Sequence, residues 1–103
     1  MSQVIRDGEN TIVIPGMSIV ASMAEDFKKE LLTAIHTHRG KLIIDLAGVD
    51  MVDSVGLGVI IAAHNTLIQK GETLEIINVS NDIYGLFTTM RLNRRFKIEK
   101  AQE

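Results

Sequence analysis

The order of apolar and polar positions divides the chain into short extended runs that alternate with longer helical ones. Two runs rich in β-forming residues, 3–7 and 10–14, flank the turn-forming pair Asp7 and Gly8, which predicts a β-hairpin. Three more apolar runs predict strands, and they lie at 41–46, 73–79 and 96–98. The run at 41–46 is almost continuously apolar, which predicts a central strand that is covered on both faces.

The first predicted helix covers about 22–38. Ser22 and Glu25 have the spacing of a capping box, in which the serine oxygen accepts a hydrogen bond from the Glu25 amide. Gly40 is the predicted stop. The expected core positions recur every fourth residue, at Met23, Phe27, Leu31 and Ile35.

The second predicted helix begins at Ser54 and ends near Lys70, with Asp53 at its N-cap and Gly71 as its stop. The face expected to lie on the sheet carries Leu57, Ile60, Ile61, His64, Leu67 and Ile68. The opposite face, which we name the outer stripe, carries Val55, Val59, Ala62 and Thr66. The outer stripe carries no charge, so either another element covers it or, as we favour, it meets a partner.

Ser80 is the predicted N-cap of a third helix that ends near Asn93. Its expected core positions have helical spacing and are Ile83, Phe87 and Met90. The polar residues 99–103 predict a frayed tail. Because strand, helix and strand follow one another twice, right-handed parallel crossovers are expected. The predicted fold is α/β, a single domain over 1–103 whose roughly five-stranded mixed sheet carries three main helices and opens with the hairpin.

Composition narrows the class of protein. The 103 residues include no cysteine, which excludes disulfides, thiolate catalysis and cysteine-bound zinc. The formal net charge is −2 and only four residues are aromatic, so neither a basic nucleic-acid footprint nor a base-stacking platform is expected. No apolar run approaches the roughly 20 residues of a membrane span, and the N-terminus lacks a signal pattern. We expect a cytoplasmic protein that binds neither nucleic acid nor membrane.

The junction 50–60, between the central strand and the second helix, concentrates the polar chemistry of the chain. Asp45, Asp50 and Asp53 would suit Mg²⁺ in an enzyme, but a strand end, a turn and a helix cap explain them without metal. The serine of this junction lacks the Gly-x-Ser-x-Gly context, and the glycine pair lacks the rest of a nucleotide-binding loop. The three histidines lack the i,i+4 spacing of a helical metal site. We therefore assign no catalytic residue and no metal ligand.

Ser54 is the residue of the junction for which we still expect a chemical role. Because Asp53 takes the cap position, the Ser54 hydroxyl is free to point outward, where a kinase can reach it. A phosphate there would meet free amides and the positive end of the helix dipole. It would also stand beside Asp53 and the outer stripe, where it opposes an apolar contact. These neighbours predict that Ser54 is a phosphorylation site. We expect the fold to tolerate the phosphate and the binding of a partner to be weakened by it.

The run 43–59, with its Asp-Ser-x-Gly-Leu-Gly motif at 53–58, resembles the signature of STAS domains. It is most similar to the anti-sigma factor antagonist branch of that family. The segment 71–76 and the pair Leu86 and Phe87 also fit the family pattern, and the resemblance extends over nearly the whole chain.

The resemblance implies partner switching without a cofactor in this chain. Proteins of this branch sequester an anti-sigma factor that is also a serine kinase of the histidine-kinase ATPase superfamily. The kinase uses its own ATP to phosphorylate the serine that matches Ser54, which releases the complex, and a PP2C-type phosphatase restores it. The residues expected to bind the partner are Asp53, Ser54, Val55, Gly56, Leu57, Gly58, Val59, Ala62, Val20 and Ser22.

Two positions depart from the family pattern. Val20 takes the place of an acidic residue that often precedes the helix after the second strand, and Val55 takes the place of a small hydroxyl residue. Both lie near the expected kinase interface. The alternative interpretation is a STAS-type scaffold in a chemotaxis, stressosome-like or transport complex. A homodimer through the outer stripe also stays open.

Overall fold

The structure is a computed structural model and describes residues 2–102. Its elements are β1 (Gln3–Asp7), β2 (Asn10–Ile14), α1 (Ala21–Thr37), β3 (Leu42–Asp45), α2 (Ser54–Gln69), β4 (Leu74–Val79), α3 (Asn81–Thr89), a 3₁₀ turn (Leu92–Arg94) and β5 (Lys97–Lys100). The hairpin strands β1 and β2 pair antiparallel, and β2 to β5 pair parallel in chain order. The predicted α/β fold, with its five-stranded mixed sheet and three helices, is confirmed.

All three helices lie on one face of the sheet. The strands β2 to β5 succeed one another in a single direction, so right-handed crossovers place α1, α2 and α3 on the same side. One apolar core fills the layer between the helices and the sheet. Along β3, Leu42 and Ile44 are buried in this core, whereas Ile43 on the opposite face is half-buried. The prediction that this strand is covered on both faces is wrong, because helices cover only one face of the sheet. The residues Leu42 to Ile44 are all apolar, so the sequence does not show that burial alternates along the strand.

The first helix begins at Ala21, one residue before the predicted start, and its N-cap is Val20. Val20 offers no side-chain acceptor, and Ser22 lies exposed within the first turn instead of capping it. The predicted capping box is therefore wrong, and the acceptor that replaces it comes from another part of the chain. Met23 is only half-buried. The buried residues of α1 are Ala24, Phe27, Leu31, Ala34 and Ile35.

The second helix starts at the predicted residue and ends within one residue of the prediction, but its buried face is rotated. Ile68, expected on the sheet, is 50% exposed, whereas Val59 of the outer stripe is half-buried. The rotation arises because α1 packs against the Val59 side of α2, so α2 buries the face between the sheet and α1. The buried residues of α2 are Gly56, Leu57, Ile60, Ala63, His64 and Leu67.

The third helix is capped as predicted, since the Ser80 Oγ accepts a hydrogen bond from the Ile83 N–H at 3.3 Å. The helix ends at Thr89, before the predicted end near Asn93. Directly beyond it, Arg91 adopts a left-handed conformation with φ of 59°. Met90, an expected core position, is consequently 51% exposed, and that expectation is wrong.

The last strand is longer than its apolar residues predict. Glu99 and Lys100 belong to β5, which pairs parallel with β4. The Ala101 N–H then donates to the Val79 carbonyl at 2.8 Å. The prediction of a frayed tail is wrong for 99–101, because backbone hydrogen bonds to a neighbouring strand do not depend on side-chain polarity. Glu103, the end of that predicted tail, lies outside the described residues.

His64 is a core histidine, as its position on the helix predicts. It is 4% exposed, and its ring lies tilted against Phe96 with the centroids 4.9 Å apart. Burial, together with the nearby positive charge of Arg95, holds the pKa of His64 below its ordinary value of 6.5. The imidazole is therefore neutral at pH 7.

The buried His64 predicts a pH dependence of stability. Since the pKa of His64 is lower in the folded state, the unfolded chain takes up the proton first as the pH falls below about 6.5. The stability associated with neutral His64 is complete above that pH and is lost as the pH falls towards the folded-state pKa. His64→Leu is expected to flatten the profile by up to about 1.4 kcal/mol per pH unit, measured by urea unfolding between about pH 7.5 and pH 5. Parallel profiles for the two proteins would contradict this prediction.

Candidate functional site

The candidate site lies where the loop before α1 runs alongside the segment before α2. Ile19 and Val52 form an isolated parallel bridge, and both side chains are buried. The Ile19 N–H donates to the Met51 carbonyl at 2.9 Å, and the Asp53 N–H donates to the Ile19 carbonyl at 3.2 Å. Backbone pairing and apolar burial thus hold the starts of the two helices side by side.

The Asp53 carboxylate connects these two helix starts. Its Oδ1 accepts from the Gly56 N–H at 2.8 Å, which is the predicted N-cap bond of α2. Its Oδ2 accepts from the Ala21 N–H of α1, also at 2.8 Å. The N–H groups of Gly56, Ala21 and Val55 stabilise the charged form and hold the pKa of Asp53 below its ordinary value of 3.8. Asp53 is therefore an anion at physiological pH, and its second bond replaces the capping box predicted for α1.

Gly56 permits the close approach of the two segments. It is buried in α2 against the backbone of Ile19. A Cβ atom at this position would overlap the Ile19 carbonyl oxygen and lie 2.8 Å from the carbonyl carbon. Gly58 differs, because it is exposed and a Cβ atom there would meet nothing within 4 Å. The first glycine of the motif thus accommodates the protein's own backbone, and the second faces outward.

The structure brings together residues that are far apart in the sequence. Ser54 is exposed as the first residue of α2, and Ser22 is exposed in the first turn of α1. Val20 is half-buried at the N-cap of α1. Because Asp53 bonds to Ala21 across 32 positions of sequence, Val20 and Ser22 flank one end of this hydrogen bond and Ser54 follows the other.

The outer stripe is only partly free. Val55 is 48% exposed, and Ala62 is also exposed. Val59 and Thr66 are half-buried, so the expectation of an uncovered stripe is corrected for these two residues. A shallow apolar groove of about 110 Å³ separates the helices here, and Leu31, Leu32, Val59 and Ala62 line it. Two predicted partner-binding residues, Gly56 and Leu57, are buried, so any contribution they make to a partner surface is indirect.

Met51 was not among the residues predicted for the site. Its side chain is 59% exposed, two residues before the Asp53 cap, whereas Val49 and Val52 on either side are buried. A long apolar residue in a turn that also contains Asp50 is the sequence signal that could have found it. Met51 and Val55 add exposed apolar side chains to a junction that also carries Asp50 and Asp53.

The remaining aspartates do not converge on a common centre. Asp45 Oδ1 accepts from the Ala47 N–H and from Asn78 Nδ2, each at 2.9 Å, which ties the ends of β3 and β4 together. Asp50 is exposed in the turn. Among residues 2–102, no three histidine, aspartate or glutamate side chains are grouped as a metal ion would require. None of the helices in this part of the chain has the length and apolar character to cross a membrane.

Comparisons with known proteins agree with this architecture. The family model described as STAS domain matches residues 2–103, and the chain belongs to the STAS domain family. A comparison with curated proteins gives no match.

Several solved structures share the fold at low sequence identity. An anti-sigma factor antagonist from Mycobacterium paratuberculosis is 18% identical with a TM-score of 0.87, over 96% of this chain and 84% of that chain. The phosphorylated form of SpoIIAA, a Bacillus cell fate determinant, is 16% identical with a TM-score of 0.73, over 95% and 90% of the two chains. The murine anion transporter Solute Carrier 26 family member A9 is 16% identical with a TM-score of 0.78, over 95% of this chain and 17% of the transporter.

Proposed function

We propose that this protein is an anti-sigma factor antagonist whose binding to an anti-sigma factor ends when Ser54 is phosphorylated. The observation that carries the proposal is the exposed Ser54 at the start of α2, beside the Asp53 carboxylate and the exposed Val55 side chain. Membership of the STAS family and the fold shared with SpoIIAA, which has a structure in a phosphorylated form, support it.

The charges around Ser54 explain how a phosphate would act. A phosphoserine carries a charge of about −1.5 to −2 at pH 7. Asp53, one residue away, is already ionised and occupies the N–H groups of Gly56 and Ala21. The phosphate therefore projects outward as a second negative group on a surface that also presents Val55. A partner that packs an apolar or acidic surface against this region loses the contact.

In this proposal the protein is a cytoplasmic binding module and not an enzyme. The partner is an anti-sigma factor that is also a serine kinase of the histidine-kinase ATPase superfamily, and the ATP belongs to that kinase. A PP2C-type phosphatase returns the protein to its binding form. The partner surface consists of Val20 and Ser22 at the start of α1, the half-buried Asp53 carboxylate, and the exposed residues of α2: Ser54, Val55, Gly58 and Ala62.

Phosphorylation by a kinase from the same host tests this function. Incubation of the protein with the kinase and ATP, followed by peptide mass spectrometry, is expected to place one phosphate on Ser54. Ser54→Ala should remain unmodified, and Thr89→Ala should be modified like the wild type, because Thr89 is an exposed hydroxyl residue at the end of α3, outside the proposed partner surface. A phosphate on another residue, or no phosphorylation by any serine kinase of the host, would contradict the proposal.

A second candidate function is a scaffold within a transport complex. Val20 and Val55, which replace an acidic and a hydroxyl residue of the antagonist pattern, favour it, and the anion transporter carries the same fold within a much longer chain. Neighbouring genes discriminate between the two functions. A kinase or phosphatase gene beside this one supports the antagonist, and a transporter operon supports the scaffold.

A further inference from the structure

Two helices begin at one side chain. The two oxygens of Asp53 are divided between them, with Oδ1 on the Gly56 N–H of α2 and Oδ2 on the Ala21 N–H of α1, each at 2.8 Å. The N-cap of α2 needs only the first of these bonds. The second bond reaches a different element and contributes nothing to the start of α2.

The start of α1 depends on that second bond. Its own N-cap, Val20, carries no side-chain acceptor, so the Ala21 N–H is satisfied by a residue 32 positions further along the chain. The backbone pairing between the two segments ends at Ile19, whose carbonyl accepts from the Asp53 N–H. Beyond Ile19, the hydrogen bond from the Ala21 N–H to the Asp53 carboxylate connects the first turn of α1 to the start of α2.

We propose that Asp53 is a positioning residue for partner recognition, an inference that rests on the proposed function. Through Oδ2 it holds Val20 and Ser22 at a fixed distance from Ser54, so that two helix starts form one composite surface. The partner, an anti-sigma factor kinase, then recognises residues from both helices when it docks on Ser54. Loss of the second bond weakens recognition even when α2 keeps its cap.

Asp53→Ser separates the two roles of the carboxylate. A serine at an N-cap accepts from the amide three residues later about as well as an aspartate does, so the Gly56 bond is retained. Its single short hydroxyl cannot also reach Ala21. Asp82→Ser is the matched control, since it removes an exposed carboxylate from the first turn of α3, away from the junction.

Amide hydrogen exchange in the free protein tests the positioning step without any partner. In Asp53→Ser, the Ala21 amide is expected to exchange about tenfold faster than in the wild type, while the Gly56 amide keeps its protection. In Asp82→Ser both amides should exchange as in the wild type. Unchanged protection of Ala21 in Asp53→Ser would overturn the inference, whether or not a kinase binds. If that variant does not fold, Asp53→Thr, which also caps α2 with one hydroxyl, replaces it in the same measurement.

Kinase affinity tests the composite surface. Asp53→Ser is expected to bind the kinase about tenfold more weakly than the wild type. Asp82→Ser should bind as the wild type does. Equal affinity of Asp53→Ser and the wild type, despite loss of Ala21 protection, would overturn the inference and leave the proposed function intact. If the wild-type protein captures no host kinase, both the proposed function and the composite surface are overturned. In that case the exchange measurement still decides whether Asp53 positions α1.

Discussion

Gly56→Ala is expected to lower the free energy of unfolding by about 3 kcal/mol or more, the upper part of the range for overpacked sites. The new Cβ atom would overlap the carbonyl oxygen of Ile19, which belongs to the backbone and cannot rotate away. The same carbonyl accepts from the Asp53 N–H, so relieving the overlap disrupts the pairing of the two segments. Thermal unfolding should show the midpoint falling by roughly 12 °C or more for a chain of this size.

Gly58→Ala provides the matched control on the same helix. Its Cβ atom would enter open space, so alanine is expected to gain up to about 1 kcal/mol from its higher helix propensity. The two variants make the same chemical change two residues apart and should shift the midpoint in opposite directions. Similar midpoints for both variants would contradict the close approach at Gly56.

Ser54→Asp is expected to weaken binding of the proposed partner, an anti-sigma factor kinase, by about 100-fold, or roughly 2.7 kcal/mol. The new carboxylate would stand next to the ionised Asp53 and beside the exposed Val55, so docking must remove water from two neighbouring like charges. The thermal midpoint should change little, because the helix dipole favours an acidic residue at this position while Asp53 opposes it. Isothermal titration with the purified kinase measures the affinity.

Ser54→Asn separates charge from size in the same experiment. Asparagine has the shape of aspartate without its charge, so this variant should bind within a few-fold of the wild type, as should Ser54→Ala. Tight binding by Ser54→Asp would show that charge at this position does not control the complex. Equal losses in Ser54→Asp and Ser54→Asn would show that the hydroxyl itself, or the room around it, is what the partner recognises.

Local chemical signals in the sequence determine much of this protein. The Asp7 and Gly8 turn specifies the hairpin, and Asp53 and Ser80 mark the starts of α2 and α3 because an N-cap oxygen bonds to an amide only three residues away. The parallel direction of β2, β3 and β4 follows from the alternation of strands and helices. These interactions join neighbours in the chain, so the residue types alone reveal them.

The tertiary structure decided the features that depend on residues distant in sequence. The start of α1 is capped by Asp53, 32 positions away, which is why a local capping box at Ser22 was the wrong expectation. The packing of α1 beside α2 covers Val59 and exposes Ile68, and pairing with β4 orders the polar residues of β5. The reason is the same in each case. A hydrogen-bond acceptor or an apolar neighbour stabilises a residue wherever in the chain it comes from, and only the folded structure shows which distant group is near.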